Sequence, residues 1–590
     1  MRYPFSQGIH NGNRVKWSGI LIAVLVLAWS HAQTTGIAAN EASLLAGKVT
    51  SSSGQPLAGV PVRAQRNNST ITISVYTNSQ GEYSFPEWSD LSAGPYTIAV
   101  ELPDYVAVNQ RTLTLHAGDT AQVDFMLQAR TPSVQDVTAS DIVAALPGTD
   151  EQKALFIQCD NCHSLTHALQ APRDKAGWVE IIKRMASEHA VSRTIPGSGA
   201  FAQKPYLEPL AEYLTMIRGP GSSSVIPFQL RPRPTGQAST RIVVTEYAVP
   251  RAGNQRENII RGDSRAAWPH DVLLEPNGPY AYYTDHFSHS LGRLDRRTGE
   301  IQEFPFNLSW GMGRVPTGTG TVGQAVWRVL EPFYRAQIPA GSPTGGPHDM
   351  AWDPEGNIVF GVGHGTLRFN PKKEEFEAWN TGRHMFGING YDVWYVDHDL
   401  HKLDLKTGKI TDQTIPKDVD GTVYDTETDA QGRSFFYLVH KGILGMYDPR
   451  TGKYEAFPTP TPRSGPRRGE IDAKGRVWMS LYYAGRIGMF DPAKREIKEY
   501  NLLPGYKPFS PPFISPYTVS VDNKNQFVWT TDFNSQRIYR MDMKTEQVTE
   551  YFMPLPYEIR DLTVDESASR PTLWFPAYRP PSKIVKVEMY

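Results

Sequence analysis

The pattern of apolar and polar positions changes several times along the chain. Residues 46–128 contain short alternating segments, such as Tyr96–Glu101, which are separated by turn signals that include Ser53-Gly54 and Gln80-Gly81. Alternation with a period of two predicts half-buried strands. Because the strands are short and evenly spaced, we expect a small β-sandwich over residues 46–128.

Residues 140–220 have helical rather than alternating periodicity. Apolar residues fall on one helical face in residues 151–163, 175–185 and 206–217; Trp178, Ile182 and Met185 are examples. This spacing predicts amphipathic helices. Segments rich in Pro, Gly and Ser precede and follow the block, at residues 130–133 and 219–224, and these are typical of linkers. We therefore expect a small helical domain between two linkers.

From residue 241 to residue 590 the chain repeats one strand–turn–strand phrase. Copies begin at Leu294 (LDRRTGEIQEF), Leu403 (LDLKTGKITD), Tyr447 (YDPRTGKYEAF), Phe490 (FDPAKREIKEY) and Met541, with a weaker copy at Phe369. Most copies lie 34 to 51 residues apart, which is the range of β-propeller blades. Inner-strand segments near residues 270, 348, 390, 422, 470, 518 and 561 predict seven blades.

The two ends of this region predict how the ring closes. The last copy ends at residues 583–588 with no outer strand after it, whereas Ile242–Tyr247 has the sequence of an outer strand and precedes the first blade. Pairing these segments would complete the seventh blade and remove an open edge. An insertion at residues 306–345 is the one long departure from the repeat. The fold class predicted is thus mainly β and multidomain, with a sandwich, a helical unit and a seven-bladed propeller.

The N-terminal residues 1–32 have the pattern of a signal peptide. A polar start with Arg2, Arg14 and Lys16 precedes the apolar run Gly19–Trp29, and small residues at Ser30 and Ala32 offer a cleavage point. The run is short for a bilayer span, although an uncleaved anchor is the alternative. We expect a periplasmic or secreted protein with no membrane span in its mature form.

Charge and cysteine content exclude several classes of protein. The chain has 60 Lys and Arg against 61 Asp and Glu and no long basic run, so a nucleic-acid partner is not expected. It has two cysteines, Cys159 and Cys162, which is too few for a disulfide framework or a four-thiolate metal site.

These two cysteines belong to the sequence Cys159-Asp-Asn-Cys162-His163, on a predicted helix. C-x-x-C-H is the attachment sequence of haem c: two thiols about one turn apart reach the two vinyl groups, and the adjacent imidazole reaches the iron. A redox dithiol would need a βαβ setting, and a plain buried pair would not explain the histidine. The block resembles a small c-type cytochrome domain, which implies one covalent haem, attached at Cys159 and Cys162, with His163 as proximal ligand.

The second axial ligand is less strongly indicated. Met185 is the first candidate, because a thioether ligand raises the haem potential and suits electron transfer. Met216, His167 and His189 are alternatives, and a methionine at helical spacing is often a core residue.

Two further resemblances concern the β regions. The segment GKVTSSSGQPLAGVPVRAQ, with TNSQGEYSFPEWSDLSAGPYTIAVELPDY after it, resembles the carboxypeptidase regulatory-like domain. That resemblance implies an accessory sandwich without catalytic residues of its own. The phrases WPHDVLLEPNG, GPHDMAWDPEGNIVFG, AGRIGMFDPAKREIKEY and SPYTVSVDNKNQFVWTTD resemble the streptogramin (virginiamycin B) lyase family of seven-bladed propellers.

The lyase resemblance implies a catalytic histidine and two carboxylates that bind Mg²⁺. The matching histidines are His270 and His348, with Asp285 as the second carboxylate of the first candidate. Trp268 and Gly346 stand where the first carboxylate is expected, so the chain departs from the metal-binding pattern in both places.

Equivalent positions of successive inner strands meet at the central channel of a propeller. We therefore expect a ligand funnel, or alternatively a set of residues that satisfy inner-strand backbone groups, formed by His270, Asp271, His348, Asp349, Arg467, Arg468, Glu470, Tyr517, Arg560 and Asp561. The His–Asp pairs would orient an imidazole as a base or as a metal ligand.

Three functions follow as hypotheses. The first is an exported c-type haem protein that transfers electrons between a periplasmic donor or acceptor and a propeller that binds or oxidises a small molecule. The second is a lyase or hydrolase of the streptogramin lyase kind with an accessory cytochrome, and the third is a non-catalytic protein that binds glycans or other ligands.

Overall fold

A computed structural model describes residues 43–107, 111–116, 118, 120–161, 164–188, 204–222, 226–250, 267–286, 290–306, 347–362, 365–379, 381, 386–397, 399–413, 416, 423–578 and 582–590. These residues belong to one compact unit, Ala42–Tyr590. The predicted signal peptide at residues 1–32 and most of the insertion at 306–345 lie outside the described residues. Among the helices that are described, none is long and apolar enough to cross a membrane.

The N-terminal part is a β-sandwich, as the alternating pattern predicts. One sheet has the order β4-β1-β9-β6, with β8 also paired to β1, and the other contains β3-β2-β5-β7. Apolar residues such as Val49, Val62 and Ile98 face a shared core and are fully buried. The strands are β1 (Ser43–Ser51), β2 (Pro61–Arg66), β3 (Ile71–Tyr76), β4 (Glu82–Pro86), β5 (Gly94–Ala99), β6 (Tyr105–Ala107), β7 (Arg111–Leu115), β8 (Ala121–Gln122) and β9 (Phe125–Ala129).

A helical unit follows the sandwich. Thr138 and Thr149 begin the first two helices with capping boxes, in which each threonine side chain accepts a backbone N–H and the third helical residue bonds back. The helices are α1 (Ala139–Ala145), α2 (Asp150–Ile157), α3 (Thr166–Gln170), α4 (Lys175–Glu188) and α5 (Lys204–Arg218), and a short α6 (Gln237–Thr240) comes later. Phe156, Trp178 and Tyr213 form part of one apolar core between them.

The C-terminal part is a propeller-like ring of antiparallel sheets. Within the described residues, six of its sheets have four consecutive strands each: β11 (Pro269–Leu274), β12 (Tyr280–Asp285), β13 (Ser290–Asp295) and β14 (Ile301–Pro305); β15 (Pro347–Trp352), β16 (Ile358–Val362), β17 (Gly365–Asn370) and β18 (Glu375–Trp379); β19 (Gly387–Asn389), β20 (Asp392–Asp397), β21 (Asp399–Asp404) and β22 (Ile410–Gln413); β23 (Val423–Thr428), β24 (Ser434–Leu438), β25 (Ile443–Asp448) and β26 (Lys453–Pro458); β27 (Pro466–Ile471), β28 (Val477–Leu481), β29 (Arg486–Asp491) and β30 (Glu496–Asn501); and β31 (Pro516–Asp522), β32 (Phe527–Asp532), β33 (Arg537–Asp542) and β34 (Val548–Phe552). We number these sheets blades 1 to 6.

The repeated Asp-x-x-Thr-Gly phrase is the turn between the two outer strands of a blade. In blade 1 the carboxylate of Asp295 accepts the backbone N–H groups of Arg297 and Thr298, both at 2.9 Å. Gly299 then adopts a left-handed backbone, with φ of 75°, which a residue with a side chain rarely adopts. The phrase recurs because its residues satisfy the backbone groups of a tight hairpin.

Blade 7 closes the ring as the sequence predicts. It contains β35 (Thr563–Val564), β36 (Thr572–Ala577) and β37 (Lys583–Met589), and the early strand β10 (Ile242–Ala248) pairs antiparallel with β37 from Ile242–Met589 to Ala248–Lys583. The outer strand of the last blade therefore comes from the chain that precedes the first.

The sandwich is not a separate module, however. Strand β10 also pairs with β3, so blade 7 and one sandwich sheet form a continuous sheet of order β35-β36-β37-β10-β3-β2-β5-β7. Across this junction the guanidinium of Arg63 donates to the buried carboxylate of Glu246 at 2.9 Å. The two regions thus share a sheet, a core and a buried ion pair.

Candidate functional site

Consecutive residues of the inner strands enter the channel together, because these strands bulge. In β11 one extra residue lies between the pairs Pro269–Asp285 and Val272–Tyr283, and β15, β23, β27 and β31 have an irregularity at the same position. A bulge re-aims side chains that strict alternation would send to opposite faces. Asp349 has φ of 48°, a left-handed backbone that accommodates the bulge of blade 2. The predicted funnel is therefore divided into two layers.

The first layer contains a cluster of three histidines from blades 1 and 2. His270 and His348 are the second residues of β11 and β15, and His286 directly follows β12. One ligand nitrogen of each lies within 4.8 Å of the others, and the ring centroids of His270 and His348 are 4.0 Å apart. His270 is fully buried and His348 is 7% exposed. His286 is partly buried, so the cluster is a nitrogen-rich site that is largely but not fully shielded from solvent.

Asp271 fixes the orientation of His270. Its Oδ2 lies 2.6 Å from His270 Nδ1, and its Oδ1 accepts from the guanidinium of Arg468 at 2.7 Å. Because a carboxylate held by arginine is an acceptor, Nδ1 of His270 is the donor and Nε2 carries the lone pair. Asp271 thus joins the histidine cluster to the second layer.

The residues around the cluster do not fit the Mg²⁺ site that the lyase resemblance implies. Oδ1 of Asp285 accepts the backbone N–H of Trp268 at 3.0 Å, and Asp532 makes the same bond to Ser515 in blade 6. Asp285 is fully buried in this structural role. Mg²⁺ requires oxygen ligands, whereas the metal-ligand group among the described residues here consists of three imidazoles. We derive no step through Mg²⁺.

Arginines and tyrosines extend the first layer from the histidines around the channel. The guanidinium of Arg560 lies 3.7 Å from the ring centroid of Tyr578, which packs edge-on against His270 at 5.3 Å. Arg467 contacts Tyr517 at 3.9 Å, Tyr424 at 4.3 Å and Tyr482 at 4.4 Å. Cation–π contacts of this kind are strongest where water is excluded, and all of these side chains except the partly buried Tyr424 are buried. We call this set the arginine–tyrosine cluster: Arg467, Arg560, Tyr424, Tyr482, Tyr517 and Tyr578.

Tyr517 is the phenol most strongly influenced by the arginines. Burial opposes its ionisation, but Arg467 and Arg560 outweigh burial and lower the pKa of Tyr517. The hydroxyl of Tyr424, whose pKa burial raises, forms a short hydrogen bond with the hydroxyl of Tyr517. The pair favours Tyr424 as donor and Tyr517 as acceptor, an arrangement that can take up or release a proton.

The second layer is an acidic chamber of about 490 Å³. Arg468 lies among its carboxylates: it contacts Asp271 and Asp349 through Nη2, and it lies 3.6 Å from each of Asp425 and Asp561. Among the described residues that line the chamber, seven are acidic and Arg468 is the one basic residue; the remaining carboxylates are those of Glu427, Glu470 and Glu566.

The burial of so many carboxylates around one guanidinium changes the pKa values of the acidic residues that line the chamber. Burial raises the pKa of Glu470 to about 7, although Ser520 and the N–H of Val521 donate to its carboxylate. Burial likewise raises the pKa of Asp561 to about 7, and Arg468 only partly offsets it. The pKa values of Asp349, Asp425 and Glu427 are also raised by burial. The chamber therefore holds protons at neutral pH.

The helical unit contacts the ring beside the first layer. The N–H of Ser140 in α1 donates to the carbonyl of Asn534 at 2.9 Å, and Phe513, from the loop before β31, is buried in the helical core. The carboxylate of Asp160 contributes to the rise in the pKa of Tyr482 that burial causes. The turn that contains Cys159 and Asp160 is thus close to the arginine–tyrosine cluster.

The structure describes the predicted haem motif only in part. Cys159 lies in a 3-10 turn, Gln158–Asn161, rather than in the predicted helix, because α2 ends at Ile157. Its partly buried side chain packs against the helical core. Cys162 and His163 lie outside the described residues, as does the side chain of Met185 on α4.

Of the alternative axial ligands, Met216 has a described side chain. Met216 on α5 is 49% exposed, which is unlike a ligand enclosed in a core. The side chain of His167 and all of His189 lie outside the described residues.

A family model matches one part of the chain. Residues 45–128 match the family model of the carboxypeptidase regulatory-like domain, which is the sandwich alone. No curated protein shows a significant match to the chain.

Among solved structures, the chain is similar to a streptogramin B lyase, with 19% identity, 60% of this chain and 100% of that chain covered, and a TM-score of 0.44. It is similar to virginiamycin B lyase from Staphylococcus aureus, with 16% identity, coverage of 55% and 96%, and a TM-score of 0.41. It is also similar to the WD40 repeats of RRP9, with 9% identity, coverage of 55% and 95%, and a TM-score of 0.42. A likeness at this level carries no conclusion about activity.

The structure places the ten residues predicted to form a ligand funnel in two groups. His270, His348, Arg467, Tyr517 and Arg560 belong to the first layer, whereas Asp271, Asp349, Arg468, Glu470 and Asp561 line the chamber.

Sequence analysis missed four important members. Tyr424 and Asp425 occupy the position of the Pro-His-Asp segments in blade 4, which lacks Pro-His. His286 and Tyr578 follow the second strands of blades 1 and 7, a position that aligning those strands would have marked.

Proposed function

We propose that this protein is an exported c-type haem protein in which electrons pass between a haem on the helical unit and a small molecule bound in the first layer of the propeller. Cys159 and Cys162 would attach the haem, His163 would be its proximal ligand and Met185 its distal ligand. The proposal rests on the C-x-x-C-H motif together with the position of its first residues beside the arginine–tyrosine cluster.

The described part of the helical unit fits a haem. Cys159 faces an apolar core, as a thioether-linked cysteine requires. In the same core, the indole N–H of Trp178 is buried and has no acceptor among the described residues. A buried donor without an acceptor costs about 1–3 kcal/mol, and a haem propionate would remove that cost. A bound haem c supplies one-electron redox chemistry.

The observation that carries the proposal is the continuity of aromatic and imidazole side chains from that turn to the histidines. Tyr482, whose pKa the charge of Asp160 helps to raise, lies 6.2 Å from Tyr517 between ring centroids. The guanidinium of Arg560 lies between the next two rings, 5.8 Å from the ring of Tyr517 and 3.7 Å from that of Tyr578. Tyr578 then contacts the histidine cluster.

Side chains of the propeller would also accept and release the protons that accompany electron transfer. Arg467 and Arg560 stabilise negative charge on Tyr517, so its hydroxyl proton leaves more readily than that of an ordinary buried tyrosine. Asp271 and Arg468 connect the histidine cluster to the chamber, which provides carboxylates whose pKa values lie near neutrality. These groups would accept protons that a bound substrate releases on oxidation.

The remaining parts of the proposal are its partners and location. The substrate is a small molecule or a glycan fragment, and a second redox protein of the periplasm accepts or donates the electrons. The signal-peptide pattern of residues 1–32 supports a periplasmic or secreted location.

A reduction assay tests the coupling. The full chain, produced in a bacterium that matures c-type cytochromes, is oxidised and mixed anaerobically with panels of phenols, sugars and amines while the haem bands are recorded. We expect one class to reduce the haem in the wild type and to fail with His348→Ala or Arg560→Gln, whereas dithionite reduces all three proteins.

The matched control is His401→Ala. His401 lies on the outer strand β21, where it pairs with Asp412 at 2.8 Å, so its loss should leave substrate-driven reduction unchanged. A substrate that reduces the haem equally well in His348→Ala and Arg560→Gln would show that the propeller is not coupled to it.

A further inference from the structure

We propose that His270, His286 and His348 together bind one divalent transition-metal ion in the propeller, independently of any haem. The three ligand nitrogens lie within 4.8 Å of one another, and the residues come from two adjacent blades of a rigid ring. This inference goes beyond the proposed function and does not depend on it.

The spacing is close to that of a metal site. An ion held by imidazole nitrogens at about 2.0–2.1 Å in tetrahedral geometry separates pairs of them by about 3.4 Å. The three rings pack against one another, with centroid separations of 4.0 Å for His270–His348, 4.6 Å for His286–His348 and 5.3 Å for His270–His286. The ligand nitrogens lie within 4.8 Å of one another, so they need to approach by up to about 1.4 Å for all three to reach one ion.

Burial and charge favour the metal-binding form of the imidazoles. Three protonated rings at this separation would repel one another, and the guanidinium of Arg560, held against Tyr578, adds further positive charge nearby. Neutral imidazole is the form that binds metals. The arrangement thus disfavours an alternative role as a cluster of cations for an anion.

Asp271 supplies the second-shell contact that metal-bound histidines usually have. By accepting from Nδ1 of His270, it leaves Nε2 as the ligand atom and makes that nitrogen more basic. Arg468 and Thr284 hold the carboxylate in turn, since Nη2 of Arg468 lies 2.7 Å from Oδ1 and Thr284 Oγ1 lies 3.4 Å from Oδ2.

The donor set indicates which ions bind. Imidazole suits Zn, Cu, Fe and Ni, and among divalent ions of the first row Cu²⁺ binds most tightly to a given nitrogen site. Three protein ligands leave a coordination position open, as in catalytic rather than structural sites. An ion here would act as a Lewis acid towards an oxygen or nitrogen atom of a substrate.

Metal titration of the full-length chain tests the proposal. The protein is stripped with a chelator, titrated with Cu²⁺ and separately with Zn²⁺ and Mg²⁺, and examined by metal analysis and electron paramagnetic resonance. We expect one tightly bound Cu²⁺ per chain, with hyperfine coupling to imidazole nitrogens, tighter binding of Cu²⁺ than of Zn²⁺, and no binding of Mg²⁺ at this site.

Variants assign the ion to the cluster. His286→Ala and His348→Ala should each weaken Cu²⁺ binding at least 100-fold, and Asp271→Asn should weaken it about 10- to 100-fold. His401→Ala removes a histidine outside the cluster and should change nothing. Circular dichroism and thermal unfolding check that each variant is folded, and the conservative His348→Gln replaces His348→Ala if that variant is not.

Two results would overturn the proposal. One is absence of stoichiometric Cu²⁺ or Zn²⁺ binding by the wild type, and the other is binding that survives both histidine variants. Neither result bears on the haem, which is measured separately by its absorbance.

Discussion

Replacing Glu470 by glutamine should make the propeller more stable, and increasingly so as the pH rises. Glu470 lies in the acidic chamber, where burial raises its pKa from 4.5 to about 7. The glutamine retains an oxygen that can accept from Ser520 and from the N–H of Val521, which lie 2.7 and 2.9 Å from the present carboxylate. The substitution therefore removes the charge and little else.

The sign and size follow from proton linkage. Below about pH 4.5 the carboxyl is protonated in both the folded and the unfolded chain, and it costs no stability. Between pH 4.5 and 7 the folded state binds more protons than the unfolded state, so the free energy of unfolding falls as the pH rises. A shift of 2.5 pKa units corresponds to about 3 kcal/mol, which is lost above pH 7.

The assay is equilibrium unfolding in guanidinium chloride, followed by tryptophan fluorescence. Trp478 and Trp529 are buried in blades 5 and 6, so their emission reports on the relevant part of the ring. The stability difference between Glu470→Gln and the wild type should grow by about 3 kcal/mol between pH 4 and pH 8. Glu496→Gln, an exposed position on the outer strand of the same blade, is the control and should show no such growth.

A difference that is constant with pH, or a variant that is less stable than the wild type at pH 8, would refute this account of the chamber. The same slope in Glu496→Gln would assign the effect to net charge instead.

Three other substitutions test the packing. Arg63→Met leaves the buried carboxylate of Glu246 without its main partner and should lower the free energy of unfolding by about 3–5 kcal/mol. The sandwich and the propeller should unfold in one thermal transition, and two separate transitions would contradict the continuous sheet. Phe513→Ala should cost about 3–5 kcal/mol and expose the helical unit to limited proteolysis, and an unchanged digestion pattern would argue against its docking on the ring. Asp285→Ala should destabilise the protein by about 1–3 kcal/mol, because it removes the acceptor of the Trp268 N–H, and it should leave Cu²⁺ binding intact. Loss of Cu²⁺ binding without loss of stability would show instead that Asp285 is a metal ligand.

Much of the ring is encoded locally, and this part could be predicted. The Asp-x-x-Thr-Gly hairpins satisfy their own backbone groups, so the phrase recurs in the sequence wherever the hairpin recurs in the ring. The strand at Ile242–Tyr247 has no matching strand in the first blade, and this predicts its pairing with the last blade. The join between β10 and β3 leaves no such signature, because it depends on a long-range pairing between edges that alternation alone does not distinguish.

The site could be predicted at the level of blade positions. Equivalent inner-strand residues were expected to converge, and Asp271 and Asp349 do meet at Arg468. Strict alternation cannot describe the bulge that directs His270 and Asp271 into different layers. His286 lies at the end of a second strand. In the sequence, a single histidine there cannot be distinguished from a surface residue, because the neighbouring His348 belongs to another blade.

The central claim is that the helical unit carries a covalent haem, and the most direct test is the spectrum of the denatured protein. The full chain from a host that matures c-type cytochromes, dissolved in alkaline pyridine after acid–acetone extraction, should show the absorbance of one haem c per chain. Cys162→Ser and His163→Ala in the same host should lose, respectively, covalent attachment and the native low-spin spectrum. A wild-type chain that is colourless after extraction, in a host that matures another c-type cytochrome normally, would contradict the account.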